Sequence, residues 1–237
     1  MIVIVNLSDF FENKMSESIA AFAKLRSTYL KRNCCGFFPS GIHKLWVMLQ
    51  LHLNEKKLID PYKKGEIDTN NFLEEMSKIF YFVPESNSDE IEVAWNKMIA
   101  LSVRGTKNIQ TLLNDEYIEK IILISNTNPL HVDKTLSELQ EKLPSVSWSK
   151  NVQSHDDCLQ IANKVYLCVS YHVKAFKEET LVTNLLKNKN PRDVKFISKF
   201  TRDRELALKN GIPEENVLSE YNATNISDND LSRYSVR

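Results

Sequence analysis

Short apolar runs alternate with amphipathic segments along most of this chain. Four runs rich in β-branched residues end in polar positions, as is typical of strands buried on both faces of a sheet. They cover residues 2–5, 120–124, 165–169 and 194–197. Helical periodicity follows the last three runs, at 128–142, 177–187 and 203–210. The pattern predicts an α/β fold with a Rossmann-like parallel sheet.

The stretch between the first two runs has a different pattern. It contains several amphipathic segments and no convincing strand, and we predict four helices there. They cover residues 16–31 and 42–53 and begin near Asp68 and Ser88, which are suitable N-cap residues. The predicted organisation is a core domain of residues 1–11 and 114–237, with residues 12–113 as a helical insertion.

Composition excludes several classes of function. The 237 residues are 42% apolar, and 31 basic residues balance 31 acidic ones. This balance gives no bulk attraction to nucleic acid or anionic membranes, and we expect neither as a partner. No apolar run approaches the roughly 20 residues of a membrane-spanning helix. No signal-peptide pattern follows Met1, so we expect a cytoplasmic protein, with secretion into a host cell without a cleavable signal as the alternative.

Dedicated metal-binding motifs are absent from the sequence. The four cysteines include the adjacent Cys34 and Cys35, but no pair has CxxC spacing. The five histidines form no HxxxH or HExxH motif. The sequence therefore predicts no zinc site.

Polar residues stand where the predicted strands end, which is where open α/β sheets bind their ligands. The first strand leads into Asn6-Leu7-Ser8-Asp9, and the second into Ser125-Asn126-Thr127-Asn128, with His131 three residues further on. Their order resembles that of the haloacid dehalogenase-like (HAD) phosphatase superfamily. Members open with a strand ending in Asp-x-Asp, whereas Asn6 and Ser8 stand here. The second segment resembles the LSNTNxxH form found in one branch of the superfamily.

The third and fourth segments extend this resemblance over residues 2 to 218. Lys174 follows the third strand and matches the lysine of the third HAD motif. Ser198 and Lys199 follow the fourth strand, where the superfamily has paired acids, and Asp203 follows at matching spacing. Residues 65–95 of the insertion resemble the helical cap of such enzymes.

The resemblance implies an inactive member of the superfamily. Its first Asp attacks phosphorus and its second protonates the leaving oxygen, and neither Asn6 nor Ser8 does this efficiently. Mg²⁺ takes carboxylate ligands from the first and fourth motifs, so Asn6, Ser198 and Lys199 imply that this site is lost. We therefore expect no cofactor and no ordinary phosphatase activity.

Three functions stay open from the sequence. The first is a catalytically inactive, HAD-like protein-binding or regulatory module whose partner the sequence does not identify. The second is metal-independent binding of phosphate or a phosphorylated small molecule, with Ser125, Asn126, Lys174 and Lys199 as the candidate anion-binding residues. The third is hydrolysis with altered chemistry that uses Asp9.

Overall fold

The strands form a mixed, mainly parallel sheet and a separate two-stranded ribbon. The computed structural model describes residues 1–33, 39–80, 84–149, 154–155, 158–176, 181–187 and 189–220. The strands of the described part are β1 (Ile2–Asn6), β2 (Phe11–Asn13), β3 (Ile99–Leu101), β4 (Lys120–Ser125), β5 (Ser154–His155), β6 (Cys158–Ala162), β7 (Val165–Val169), β8 (Val194–Ile197) and β9 (Val217–Leu218). In the main sheet their order is β5-β6-β7-β4-β1-β8-β9.

The centre of the sheet consists of the four strands predicted from the apolar runs. β7, β4, β1 and β8 are neighbours and pair in parallel, whereas β5, β6 and β7 pair antiparallel at one edge. Val3, Ile4 and Val5 of β1 are almost completely buried because side chains cover both faces of the strand. This arrangement confirms the α/β, Rossmann-like fold.

Helices account for most of the remaining described chain. Their bounds are α1 (Met15–Asn33), α2 (Ser40–Leu53), α3 (Asp60–Lys63), α4 (Thr69–Phe80), α5 (Pro84–Asn96), α6 (Val103–Asn114), α7 (Pro129–Lys142), α8 (Ser170–Val173), α9 (Val182–Leu186) and α10 (Thr201–Lys209). α1, α2, α4 and α5 correspond to the four helices expected in the insertion. The helix expected at 177–187 appears as α9, and its first residues lie outside the described ones. None of the described helices is long and apolar enough to cross a membrane.

The stretch of residues 12–113 also contains structure that its pattern did not predict. Strands β2 and β3 pair antiparallel, so the expectation of a stretch without strands was wrong. Each strand is three residues long, which is too short to show a period of two. Helix α6 places Ile109 and Leu112 in the apolar cluster beneath the sheet.

A second apolar cluster holds the helices of the insertion together, and we call this part of the molecule the cap. Four aromatic rings connect the cap to α7, and we call them the cap–core seam. Tyr62 stacks on Phe72 at 4.0 Å, Phe72 meets Trp95 edge-on at 5.0 Å, and Trp95 stacks on His131 at 5.3 Å. Leu130 of α7 belongs to the same cluster. The start of α7 is therefore part of the cap interior.

A close backbone contact supports the seam at a second place. Gly65 has a φ of 68°, and a Cβ added there would lie 2.4 Å from the carbonyl oxygen of Tyr171 in α8. Glycine therefore suits this position both because its backbone is left-handed and because the core backbone is so near.

Candidate functional site

The polar residues at the ends of three central strands lie at the same edge of the sheet. Asn6 is in register with Ile124 on β4, and Val5 is in register with Ile197 on β8. Ser125 and Ser198 follow these two partners directly. Because β4, β1 and β8 are parallel, Asn6, Ser125 and Ser198 stand at neighbouring carboxyl ends, as the sequence predicted.

Asn6 is buried, and both polar atoms of its side chain are hydrogen-bonded. Its Oδ1 accepts from the backbone N–H of Ser8 at 3.2 Å and from Ser8 Oγ at 2.8 Å. These bonds cap the short 3₁₀ turn Leu7–Asp9. Its Nδ2 donates to the carboxylate of Asp203. The amide therefore joins the end of β1 to α10.

Asp203 supplies the carboxylate at the centre of this network. It is 3% exposed and lies in the first turn of α10. Its Oδ2 accepts from Ser198 Oγ at 2.9 Å as well as from Asn6. Ser198 Oγ in turn accepts from the backbone N–H of Phe200 at 3.2 Å. Asp203, Asn6 and Ser198 form one buried polar group.

The sequence analysis missed this role of Asp203. The spacing of Asp203 after the fourth strand did not predict that its carboxylate would accept from Asn6 and Ser198. The available signal was an aspartate five residues after the end of a central strand and in the first turn of the next helix. A buried carboxylate there needs hydrogen-bond donors, and the nearest strand ends supply them.

Lys199 and Asp9 form the more exposed part of the site. Lys199 Nζ donates to the backbone oxygen of Ser8 at 2.9 Å and lies 3.9 Å from Asp9 Oδ1. The backbone N–H of Lys199 donates to Asp9 Oδ2 at 3.1 Å. The Asp9 side chain is 12% exposed, whereas that of Lys199 is 49% exposed. This contact joins the loop after β8 to the turn after β1.

The other candidate anion-binding residues differ from one another in exposure. Ser125 and Asn126 are half-buried at the end of β4. Lys174 is exposed and ends α8 with a left-handed backbone, at a φ of 54°. Its backbone N–H donates to the backbone oxygen of Ser170. No hydrogen bond or ion pair joins the Lys174 side chain to another described residue. The structure therefore gives Lys199 a place in the network and gives Lys174 none.

Ser170 is a second buried polar residue near the strand ends, and its position in the sequence did not predict this role. It is fully buried at the end of β7. Its Oγ lies 3.0 Å from the backbone N–H and 3.0 Å from the backbone oxygen of Thr127, and 2.7 Å from the backbone oxygen of Lys63. This hydroxyl connects two strand ends to the cap.

His131, which follows the polar segment after β4, packs inside the protein and does not face the strand-end site. Its ring is buried against Trp95, and Nε2 lies 3.3 Å from the backbone oxygen of Trp95. Burial lowers the pKa of His131 to about 4, and the charge of Lys63 acts in the same direction, while the hydrogen bond to Trp95 opposes them. The imidazole is therefore neutral at pH 7. Among the described residues, no three His, Cys, Asp or Glu side chains are grouped as a metal site would require.

Solved structures with the same architecture are known, although no protein-family model and no curated protein sequence matches this chain. Several are of a HAD family enzyme from Bacteroides thetaiotaomicron. Its wild-type complex with magnesium and inorganic phosphate has a TM-score of 0.62 at 14% identity, with 94% of each chain covered. An aspartate-to-alanine variant in the same complex has a TM-score of 0.62 at 16% identity, again with 94% of each chain covered.

A magnesium complex of the same Bacteroides enzyme matches with a TM-score of 0.59 at 15% identity. The match covers 97% of this chain and 96% of that one. The similarity therefore includes the cap as well as the sheet. Over most of its length, this chain has the fold of the HAD enzymes.

Proposed function

We propose that this protein is a HAD-fold module that does not catalyse phosphoryl transfer and acts by binding a protein partner. The observation that carries the proposal is the network around Asn6. At the strand end where the HAD superfamily has its nucleophile, the side chain is an amide whose two polar atoms bond to Ser8 and Asp203. A regulatory role follows by elimination, because a folded cap and core still present a surface when the chemistry is absent.

The chemistry of Asn6 and Ser8 supports the loss of catalysis. An amide oxygen is neutral and a poor nucleophile, and the Asn6 oxygen accepts two hydrogen bonds from Ser8. The Ser8 hydroxyl points its proton at Asn6, and it has no proton that titrates near neutral pH. Neither residue supplies a nucleophile or a general acid.

The residues at the site fit Mg²⁺ poorly. Mg²⁺ prefers octahedral oxygen ligands with carboxylates among them. Here the Asp203 carboxylate already accepts from Asn6 and Ser198, and the ammonium group of Lys199 lies on the neighbouring Ser8 carbonyl. A cation would have to displace donors from Asp203 and approach a like charge. We infer no catalytic step that uses a metal.

Hydrolysis by Asp9 is less well supported than inactivity. Its Oδ2 accepts from the backbone of Lys199, and its Oδ1 faces the Lys199 ammonium at 3.9 Å. Attack by Oδ1 would have to draw it away from the Lys199 ammonium while Oδ2 stays bound to the Lys199 backbone. The Asp9 contacts suit a residue that fixes the turn after β1.

Binding of a phosphorylated small molecule is the remaining alternative. It requires a cation that can face the ligand. Lys199 is paired with Ser8 and Asp9, whereas Lys174 is exposed at the end of α8. A phosphate group would have to replace the Asp9 carboxylate as the partner of Lys199. Titration calorimetry with inorganic phosphate in the presence of EDTA tests this. Saturable heat that disappears in the Lys174→Ala, Lys199→Ala variant would favour the ligand-binding alternative over our proposal.

A turnover assay tests the main proposal. We expect the purified protein with Mg²⁺ to hydrolyse p-nitrophenyl phosphate no faster than buffer. Turnover that Asn6→Ala abolishes would refute the proposal. Turnover that survives Asn6→Ala but is lost in Asp9→Ala would instead establish the Asp9 alternative.

Restoring the acids tests the assignment of the positions. The variant Asn6→Asp, Ser8→Asp, Ser198→Asp, Lys199→Asp should bind Mg²⁺ more tightly than the wild type. The matched control adds Asp203→Asn to these four substitutions and should lose most of the gain, because Asp203 lies at the centre of the site. Equal Mg²⁺ affinity in all three proteins would show that these residues do not occupy the metal-ligand positions.

A further inference from the structure

Among the described residues, helix α2 exposes an apolar outer face to solvent. Eleven large apolar side chains are exposed among the described residues, and five of them lie on this 14-residue helix. Leu45 is 68% exposed and Leu53 is 57% exposed. The five, which we call the α2 stripe, are Ile42, Leu45, Met48, Leu49 and Leu53. Such a concentration on a soluble domain usually indicates an interaction surface.

The inner face of α2 already accounts for its attachment to the cap. His43 and Val47 are buried, and Trp46 lies under the Arg26 guanidinium at 3.9 Å. Folding of the cap therefore does not explain the apolar residues on the outer face. Ile42, Leu45, Leu49 and Leu53 are spaced by three or four residues, so they form one continuous line along the helix.

The order of residues in the α2 stripe is close to symmetric about its middle. In an antiparallel pair of α2 helices, Ile42 would face Leu53 of the other copy, and Leu45 would face Leu49. Met48 would lie beside the two-fold axis. A two-fold interface requires this reciprocity, because each contact must occur twice. We propose that the α2 stripe is a homodimer interface in which α2 packs antiparallel on α2 of a second copy.

The extent and charge of the stripe suit such a partner. The five side chains of the stripe expose roughly 500 Å² of surface per chain. A dimer that buried all of it would have an interface of about 1,000 Å², which is the lower limit for a specific interface. The stripe itself carries no Lys, Arg, Asp or Glu, and the chain has a formal net charge of zero. Two copies therefore approach without strong repulsion. The dimer should be weak and depend on concentration.

Sedimentation of the full chain tests this proposal. The wild type should change from monomer to dimer between low-micromolar and submillimolar concentration. The Leu45→Glu, Leu49→Glu variant should dissociate at least about 100-fold more readily, because four carboxylates would face one another. The matched control is Val103→Glu on α6, which changes an apolar residue of 89% exposure outside the stripe. It should dimerise like the wild type.

Disulfide cross-linking provides an independent measurement. In a background with Cys34→Ser and Cys35→Ser, Met48→Cys should form oxidised dimers, whereas Val103→Cys should not. A wild type that stays monomeric at all concentrations would overturn the proposal. So would a dimer that persists in the folded Leu45→Glu, Leu49→Glu variant. A monomer that binds helical peptides or lipid vesicles through α2 would assign the surface to another occupant and would equally overturn it.

Discussion

The strand-end site and the cap–core seam lie in the same fold, but different interactions hold them together. At the strand ends, Asn6, Ser198 and Asp203 form a buried polar network with a half-exposed lysine at its edge. At the seam, Trp95 and His131 stack within the apolar interior of the cap. Asn6 therefore belongs to a polar network and His131 to an apolar packing cluster, and the surroundings of each residue decide which.

The difference predicts that the seam contributes more to stability than the strand-end site. Aromatic rings in the seam bury large apolar areas, whereas each neutral hydrogen bond in the site contributes only about 1 kcal/mol net. Substitutions in the two regions should rank accordingly, and four of them measure the difference.

Trp95→Ala should have the largest effect. Trp95 is 1% exposed and contacts both Phe72 and His131, so truncation removes two ring contacts and leaves a cavity between cap and core. We expect the free energy of unfolding to fall by about 3–5 kcal/mol. Urea denaturation measures this, and Trp148→Ala at the half-buried edge of the core is the control. A smaller loss at Trp95 than at Trp148 would contradict the importance of the seam.

Acid should weaken the seam through His131. Its pKa is lowered from 6.5 to about 4 by burial, so the unfolded chain takes up this proton at a higher pH than the folded one. Stability from this residue is complete above pH 6.5 and is lost as the pH falls toward 4. The free energy of unfolding should fall by about 3 kcal/mol in all, because each pKa unit between the unfolded and folded states corresponds to about 1.4 kcal/mol. His131→Phe keeps a ring in the stack and should remove this part of the pH dependence of urea denaturation.

Asn6→Asp should have an intermediate effect on the strand-end site. The substitution replaces the amide donor to Asp203 with a second carboxylate, so a hydrogen bond is lost and two acids face each other. We expect a loss of about 1–3 kcal/mol at pH 7 in EDTA. Mg²⁺ should restore part of it, because a cation between the two acids would stabilise only the folded state. The isosteric control is Asn126→Asp directly after the neighbouring strand β4, and an equal Mg²⁺ effect there would argue against a specific site.

The sequence predicted the sheet more completely than the site. The runs at β1, β4, β7 and β8 are visible because buried parallel strands are continuously apolar. The ribbon of β2 and β3 was missed because a strand of three residues is too short to show the apolar–polar alternation that marks a strand. Asp203 was missed as a partner of Asn6 because 197 positions separate them, and only the folded sheet brings them together. The α2 stripe could not be separated from the inner face of α2, because both faces of that helix are apolar in sequence.

Lys199→Ala should have the smallest effect on stability. The Lys199 side chain is 49% exposed, and its ammonium lies 3.9 Å from the carboxylate of Asp9, so water screens much of the attraction. Exposed ion pairs of this type contribute about 0–1 kcal/mol, and the hydrogen bond to the Ser8 carbonyl lies in the same half-exposed position. We expect the free energy of unfolding to fall by less than about 1 kcal/mol.

Lys199→Met is the control for this substitution, because it keeps most of the apolar stem and removes the charge. If Lys199→Ala costs as much as Trp95→Ala, the edge of the site is a main source of stability, and the contrast between the two regions fails. If the cost is small, the lysine can be removed without unfolding the protein, and the titration with phosphate can then report on its charge alone.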